Sequence, residues 1–367
     1  MKILLFENQF RDVLISRMSY AKFLKKNGYE VYICCDFDTK LENLCIKEGF
    51  HYFWLDNIKD YNPFIVFSSI LKIRKFLKKE RITIIHCFRF QPILIGTFSS
   101  VGLKINTINH ITWLGIYFSK KGLKSKIIST FIKQLYKFNN KVLKAKTVVQ
   151  NSDDKNDLGL NCIVIKGSGT NENLFNNEVK ASKKIIERFS NYDQIFLFAS
   201  RLLKSKGILN LVDAFLEYNR KTKVKSILII GGIPDRGNPD SISENEYNNI
   251  KKLESIYLTG MIDNVNEYIA LSTCSIYPSM YREGVPRFLI ESLAMSKPII
   301  TTNTPGNKET YSDNGIIMNN NSVKLIFDSF CKFEELNTKL LEQKSYELYL
   351  NEFSQKIIYN QLIKLYS

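Results

Sequence analysis

Two short stretches hold most of the residues able to do chemistry. The first, PSMYREGVPRFLIE over 278–291, carries two carboxylates, Glu283 and Glu291, on either side of Gly284 and Pro286. The apolar run before Pro278 predicts a strand. Pro286 stands where a helix would begin, a place proline favours in the first turn. The backbone N–H groups of Arg287, Phe288 and Leu289 then lack acceptors within the helix, and the helix dipole adds positive potential. A diphosphate is a natural ligand for such an end. Glu283 and Glu291 are placed to accept hydrogen bonds from sugar hydroxyls. The plainer alternative is an ordinary helix with a loop glutamate and an exposed one. The second stretch, SRLLKSKG over 200–207, sets Arg201 and Lys206 between a predicted strand and a predicted helix. Two cations there can neutralise a departing diphosphate, the main electrostatic task when a sugar leaves its nucleotide carrier. A solvated basic loop is the alternative.

Other chemistries find less support. Asp36-Phe-Asp38 has the D-x-D form of a metal site, but it follows the second predicted strand of a Rossmann-like unit, which is the wrong context. No His/Cys cluster has zinc spacing. Gly167-Ser-Gly169 lies mid-chain with Glu172 where a dinucleotide fingerprint needs its third glycine. There is no Walker loop and no G-x-S-x-G elbow. We therefore expect neither metal nor cofactor.

The elements that must position these residues read as α/β. Short apolar strands are predicted at 2–6, 30–35, 51–55, 82–88, 105–111, 147–151 and 162–166, with helices such as 15–27 and 65–79 between them. The pattern repeats with strands at 195–200, 226–230, 256–258, 275–278, 299–302 and 316–318 and helices such as 208–220 and 286–295. Apolar strands alternating with amphipathic helices imply parallel sheets covered on both faces. The polar stretch 168–191 divides the halves, with a hinge near 169–171. We expect an N-terminal domain over 1–170, a C-terminal domain over 171–345, and a closing helix within 346–367 that packs back on the first. Two doubly wound domains facing a central cleft would present their strands' carboxyl ends to a ligand.

Here a resemblance becomes specific. SRLLKSKG, then YREGVPRFLIE, then SKPIITTNTPGNKE resemble the retaining GT-B glycosyltransferases of family four, which carry an Arg…Lys-Gly pair followed by Glu-Gly-x-Pro and two glutamates separated by seven residues. IVIKGSGTNENLF (163–175) looks like that family's interdomain loop, with Gly169-Thr170-Asn171 in place of its usual Gly-Val-Asp, and VVQNSDD (148–154) looks like the segment before it. GGIPDRGNPDSISENE (231–246) resembles a loop of bacterial enzymes that add sugars to polyprenyl-diphosphate-linked acceptors. Some resemblance covers nearly the whole chain, and the second-half motifs are the specific ones. It implies a nucleotide-sugar-binding C-terminal domain and an acceptor-binding N-terminal one. Glu291 would hold the donor ribose, Glu283 the sugar hydroxyls, and Arg201 and Lys206 the diphosphate. Backbone near Met261 would border the base, and Gly306 would let backbone approach the donor. Arg17 fits an acceptor-side arginine of the lipid-linked subgroup. His110, in NHITWLG, stands near the family's first-domain histidine. The first domain departs from the pattern after its first strand, where Glu7-Asn-Gln-Phe replaces a glycine pair, and at Trp113-Leu-Gly115. The implied reaction is front-face transfer with retention and without metal. A UDP-sugar is the expected donor, with GDP-mannose as runner-up.

Composition agrees with two globular domains: 367 residues, 44% hydrophobic and 24% charged. No apolar run is long enough to span a bilayer, and MKILLF runs straight into a strand pattern. We expect a cytoplasmic protein on the inner face of the membrane, with seven cysteines as buried free thiols. The net charge of +16 asks for a polyanionic partner. Segment 119–146 contains nine lysines and no acidic residue. Its Ile128, Phe131, Leu135, Phe138 and Val142 recur at steps of three and four, an apolar helix face flanked by Lys126, Lys133, Lys137, Lys141 and Lys144. With the basic cluster at 72–81, that pattern suits an anionic membrane surface. No nucleic-acid motif is present, so nucleic acid is not expected as a partner. The alternatives kept open are a GT-B relative of other chemistry, such as an epimerase or phosphorylase, and a basic nucleic-acid-binding protein.

Overall fold

The protein, seen in a computed structural model, is described for residues 1–114, 118 and 122–366, the Lys124 side chain aside. Gly115 and the 119–121 part of the basic segment lie outside the described residues. The chain forms two compact units, one of residues 1–169 and 356–367, the other of 170–355.

The first unit holds a parallel sheet of seven strands: β1 Lys2–Phe6, β2 Glu30–Cys35, β3 His51–Trp54, β4 Ile84–Phe88, β5 Asn106–Ile111, β6 Lys146–Val149 and β7 Cys162–Val164. Their order is β3-β2-β1-β4-β5-β6-β7, with Ile3 in register with both Val31 and Ile84. Every residue of β4 is buried, as expected of a strand covered on both faces. One covering layer contains helices Met18–Lys26, Thr39–Glu48 and Gln355–Ile363. The other contains Pro63–Lys79, Phe90–Ser100 and Leu123–Val142.

The second unit holds six parallel strands: β8 Gln194–Ala199, β9 Ser226–Gly231, β10 Ile256–Gly260, β11 Cys274–Tyr277, β12 Ile299–Thr302 and β13 Gly315–Met318. Their order is β10-β9-β8-β11-β12-β13. Strand order reverses between β1 and β4 in the first sheet and between β8 and β11 in the second. These are the switch points where doubly wound sheets receive ligands.

Several elements differ from their sequence reading. The expected 15–27 helix begins at Phe10 and passes through a π-helical turn, Val13–Arg17. The polar stretch 168–191 contains a short helix, Lys183–Phe189. The closing helix is two pieces: Thr338–Leu348 runs into a π-helical turn, Tyr349–Phe353, and Ser354 adopts extended backbone before Gln355–Ile363 begins. That break lets the chain leave the second unit and rejoin the first. There the Tyr366 hydroxyl lies 2.8 Å from that of Tyr20 and 2.6 Å from His86 Nδ1. Six cysteines are buried, but Cys331 is exposed.

The basic helix also differs. Leu135 is buried and Ile128 packs on the core, yet Phe131, Phe138 and Val142 are exposed. The apolar arc is wider than the groove it packs into. Ile132 and Tyr136, not read as apolar-face residues, complete the inward side.

Candidate functional site

The second-unit candidates gather around the β8/β11 switch point. After β8 the chain makes a short turn, Lys204–Lys206, closed by Gly207 at φ 77°. A Cβ on Gly207 would lie 2.5 Å from the Pro278 carbonyl, so only glycine lets the two loops approach this closely. The Met280 N–H donates to the Ser205 carbonyl at 2.9 Å and joins the loop after β8 to the loop after β11. From the β12 side, Thr304 and Asn307 donate to the Ser279 carbonyl.

This lacing sets Lys206 against Glu283. The ammonium lies 2.8 Å from Glu283 Oε1 and donates to the Tyr277 hydroxyl at 2.6 Å, which in turn donates to Glu283 at 2.7 Å. The Lys206 side chain is only 8% exposed. Burial works to lower its pKa, but Glu283 and Tyr277 more than offset that and hold it above the usual lysine value. Lys206 is therefore a fixed positive charge. Burial and Glu283 push the Tyr277 hydroxyl upward, so it stays protonated.

Arg201 behaves differently. Its side chain is 59% exposed, and its guanidinium pairs with Asp235 at 2.8 Å. Asn238 and Arg201 hold Asp235 below the usual carboxylate range against its partial burial. Asp235 belongs to the 231–246 loop, which runs beside the Arg201–Lys206 loop. Leu202 N–H donates to the Ile233 carbonyl, Lys204 N–H to the Asp240 carbonyl, and the Ser205 hydroxyl to the Asp240 carboxylate.

The helix after β11 starts at Arg287, with Pro286 as the flanking residue and not the first helical one, a shift of one position. Phe288 and Leu289 are buried. Glu291 is also buried, not on an exposed helix face, and accepts from Arg287 at 2.6 Å. Burial raises its pKa, and Arg287 opposes the rise. Gly306 sits at φ 89°, and a Cβ there would lie 1.8 Å from the Gly284 carbonyl. The requirement for glycine at 306 is already explained by the protein's own backbone. Met261 is exposed just beyond β10.

The first-unit candidates lie elsewhere in the chain's architecture. Arg17, carried by the π-helical turn, is buried, lies 3.4 Å from Glu7 and stacks its guanidinium 3.8 Å above the Phe88 ring. Arg89 follows β4 at the switch point and pairs with Asp12 at 2.8 Å and Glu7 at 3.5 Å. Its backbone, φ 70° and ψ 168°, lies in a region almost reserved for glycine. No sequence signal singled out Arg89 or Tyr277, and Asp235 was covered only by the 231–246 resemblance, because each pairs with a residue distant in the chain. His110 lies within β5, fully buried, with its ring stacked on His86. Burial and Arg17 lower its pKa to about 3, so it is neutral at ordinary pH. Asp36 and Asp38 have structural partners: Asp36 pairs with Lys59 at 2.7 Å, and Asp38 caps helix Thr39–Glu48 by accepting from Leu41 N–H.

Comparison with known proteins places this geometry. The family model described as "Glycosyl transferases group 1" matches residues 158–349, and that described as "Glycosyl transferase 4-like" matches 2–152. The capsular polysaccharide biosynthesis glycosyltransferase CapM of Staphylococcus aureus is 22% identical over 366 residues, covering 94% of this chain and 92% of its own. The N,N'-diacetylbacillosaminyl-diphospho-undecaprenol alpha-1,3-N-acetylgalactosaminyltransferase of Campylobacter jejuni is 24% identical over 368 residues, covering 95% and 94%. Among solved structures, HepE of Anabaena in complex with UDP-glucose shares the fold, with a TM-score of 0.74, 14% identity, and coverage of 99% of this chain and 98% of that one. The two Rossmann-like units are those of the GT-B architecture.

Proposed function

Because this chain belongs to the group 1 glycosyltransferases, we propose that it moves a sugar from a UDP carrier to a hydroxyl of a polyprenyl-diphosphate-linked glycan, with retention and without metal. The reading is carried by the Lys206–Glu283–Tyr277 cluster at the β8/β11 switch point, with Arg201 beside it in sequence and Arg287–Glu291 opening the next helix.

In this reading the donor's diphosphate lies against Arg201, Lys206 and the N–H groups of Arg287, Phe288 and Leu289. Glu291 accepts from the ribose hydroxyls, Glu283 from the sugar hydroxyls, and the backbone near Met261 borders the base, with Gly284 and Gly306 keeping the loops close. The bond from anomeric carbon to diphosphate oxygen breaks as an acceptor hydroxyl attacks the same face, and the departing phosphate oxygen takes the hydroxyl proton. Fixed cations stabilise the charge that develops on the leaving group, which is where preorganised electrostatics contributes most. Two cationic side chains and a helix end supply what a divalent ion would otherwise supply.

On the acceptor side we assign Arg17 through its hold on Glu7, with Arg89 as the more exposed partner of the same carboxylate. His110, neutral and enclosed, would contribute as an uncharged group. A UDP-glucose-bound neighbour of the same fold and a relative named for an undecaprenyl-diphosphate acceptor support the choice of substrates. Capsule or related surface-glycan assembly on the cytoplasmic side of the membrane is the setting that follows.

The test is a thermal-shift series with UDP, GDP and ADP, followed by transfer assays with the preferred nucleotide's sugars onto a polyprenyl-diphosphate-linked acceptor. Stabilisation by UDP and a product that keeps the donor's anomeric configuration in chelator are expected. Strict need for manganese or magnesium, or an inverted product, would overturn the reading.

A further inference from the structure

The layer formed by helices Pro63–Lys79, Phe90–Ser100 and Leu123–Val142 concentrates basic charge. The first and third helices each carry five basic residues, and none of the three contains an aspartate or glutamate. The layer on the opposite face of the same sheet does contain carboxylates, Glu42 and Glu48 on Thr39–Glu48.

The acid-free layer also exposes large apolar side chains. Phe64 is 84% exposed and Phe67 61%, and Leu71 continues their row one turn on. On the third helix Leu123, Ile127, Phe131, Phe138 and Val142 are exposed, Phe131 at 63%. Lys126, Lys137 and Lys141 form the adjoining exposed row, and Lys72, Lys75, Lys78 and Lys79 extend the first helix. The three helices lie side by side. Arg74 on the first donates to the Ser99 and Val101 carbonyls at the end of the second, and Phe98 of the second stacks on Phe138 of the third at 6.3 Å.

We infer that this three-helix surface is the face by which the protein lies on an anionic lipid bilayer, its phenylalanines and aliphatics entering the headgroup region and its lysines meeting lipid phosphates. Rows of apolar and basic side chains side by side are what an interfacial helix needs. Nucleic acid would meet the charge, but Leu71, Leu123, Ile127 and Val142 have no stacking use there. A second copy would cover the apolar rows, but a two-fold contact would press lysine rows against each other with no carboxylate on the three helices to relieve them, Glu80 just past the first already pairing with Lys79 at 3.8 Å. Among the described residues no helix is long and apolar enough to cross a membrane, so contact from one side is the geometry left to these helices. The inference rests on the lipid-linked-acceptor reading only for its purpose, since it gives the enzyme access to a membrane-held substrate.

The test is flotation with vesicles of phosphatidylcholine containing phosphatidylglycerol, against vesicles of phosphatidylcholine alone, at moderate salt. Neither donor nor acceptor enters the assay. An enzyme that floats but transfers no sugar counts against the proposed reaction alone. One that transfers sugar but does not float counts against this inference alone. Two triple variants are compared with wild type, F64S/F67S/L71S and F131S/F138S/V142S, together with K126E/K137E/K141E. Each is expected to reduce flotation with the anionic vesicles at least tenfold. The charge variant should lose binding even at low salt, whereas wild type should weaken as salt rises. All sites are exposed, and an unchanged melting midpoint checks that folding persists. Equal flotation of wild type and both apolar variants, no flotation of wild type, or a dimer in light scattering that the F131S set dissociates would each overturn the proposal.

Discussion

Lys206 and Glu283 form an ion pair at 2.8 Å in which the lysine side chain is nearly sealed from water. Removing one member of such a pair leaves the other uncompensated. Glu283→Gln should therefore reduce both turnover and stability. We expect a loss of about 2 kcal/mol, below the range for fully buried pairs because Glu283 keeps some solvent contact. Chemical denaturation beside steady-state kinetics checks this. A variant with wild-type stability and wild-type rate would remove Glu283 from the site.

Tyr277 bridges that pair with a single hydroxyl. Tyr277→Phe keeps the ring's packing on Phe198 and deletes both bonds, at about 1–2 kcal/mol. As a positioning residue it should lower kcat more than it raises the donor KM. An effect confined to melting temperature would make it structural.

Glu291 is buried beside Arg287, so a ribose binding there meets a carboxylate already stripped of water. Glu291→Gln should weaken UDP binding by about 1.5–3 kcal/mol, read by calorimetry. Equal affinity in the variant would move the ribose elsewhere.

Asp235 pairs with Arg201 and would compete for it with a diphosphate bound as proposed. Asp235→Asn should tighten UDP binding a few-fold at low salt, and Arg201→Ala should weaken it at least tenfold. If Asp235→Asn instead weakens binding, the carboxylate orients Arg201.

His86 and His110 are both buried in the first unit with lowered pKa values, through burial first and neighbouring charge second. Unfolded, each titrates near 6.5. Their folded forms bind fewer protons, so stability is complete above about pH 6.5 and falls as pH drops below it. The slope from each is up to about 1.4 kcal/mol per pH unit. Melts from pH 8 to pH 5 should show the decline, and His110→Asn should flatten it. A flat wild-type profile would mean that these rings are not held neutral.

The sheets were legible because their strands are covered on both faces and so appear as unbroken apolar runs, β4 and β9 most clearly. Arg201, Lys206, Glu283 and Glu291 stood out as candidates because a motif packs them into two short stretches. Tyr277 looked like one more strand residue, since its bond to Lys206 spans 71 positions. The basic helix was legible as amphipathic, but its sequence could not say which part of a wide apolar arc the sheet would cover. The break at Ser354 follows a π-helical turn, whose five-residue bonding leaves no distinctive pattern in side-chain type.

The chain leaves the first unit at Gly169 and re-enters it at Lys356. Ile358, Tyr359, Leu362 and Tyr366, which complete that unit's core, are thus synthesised after the whole of the second unit. At ordinary translation rates the interval is roughly 10–40 s. Throughout it the nascent first sheet stands with one helical layer unfinished and His86 without its tyrosine, while the contiguous second unit is free to close. Chaperone dependence during biosynthesis should fall on the half of the protein that is made first.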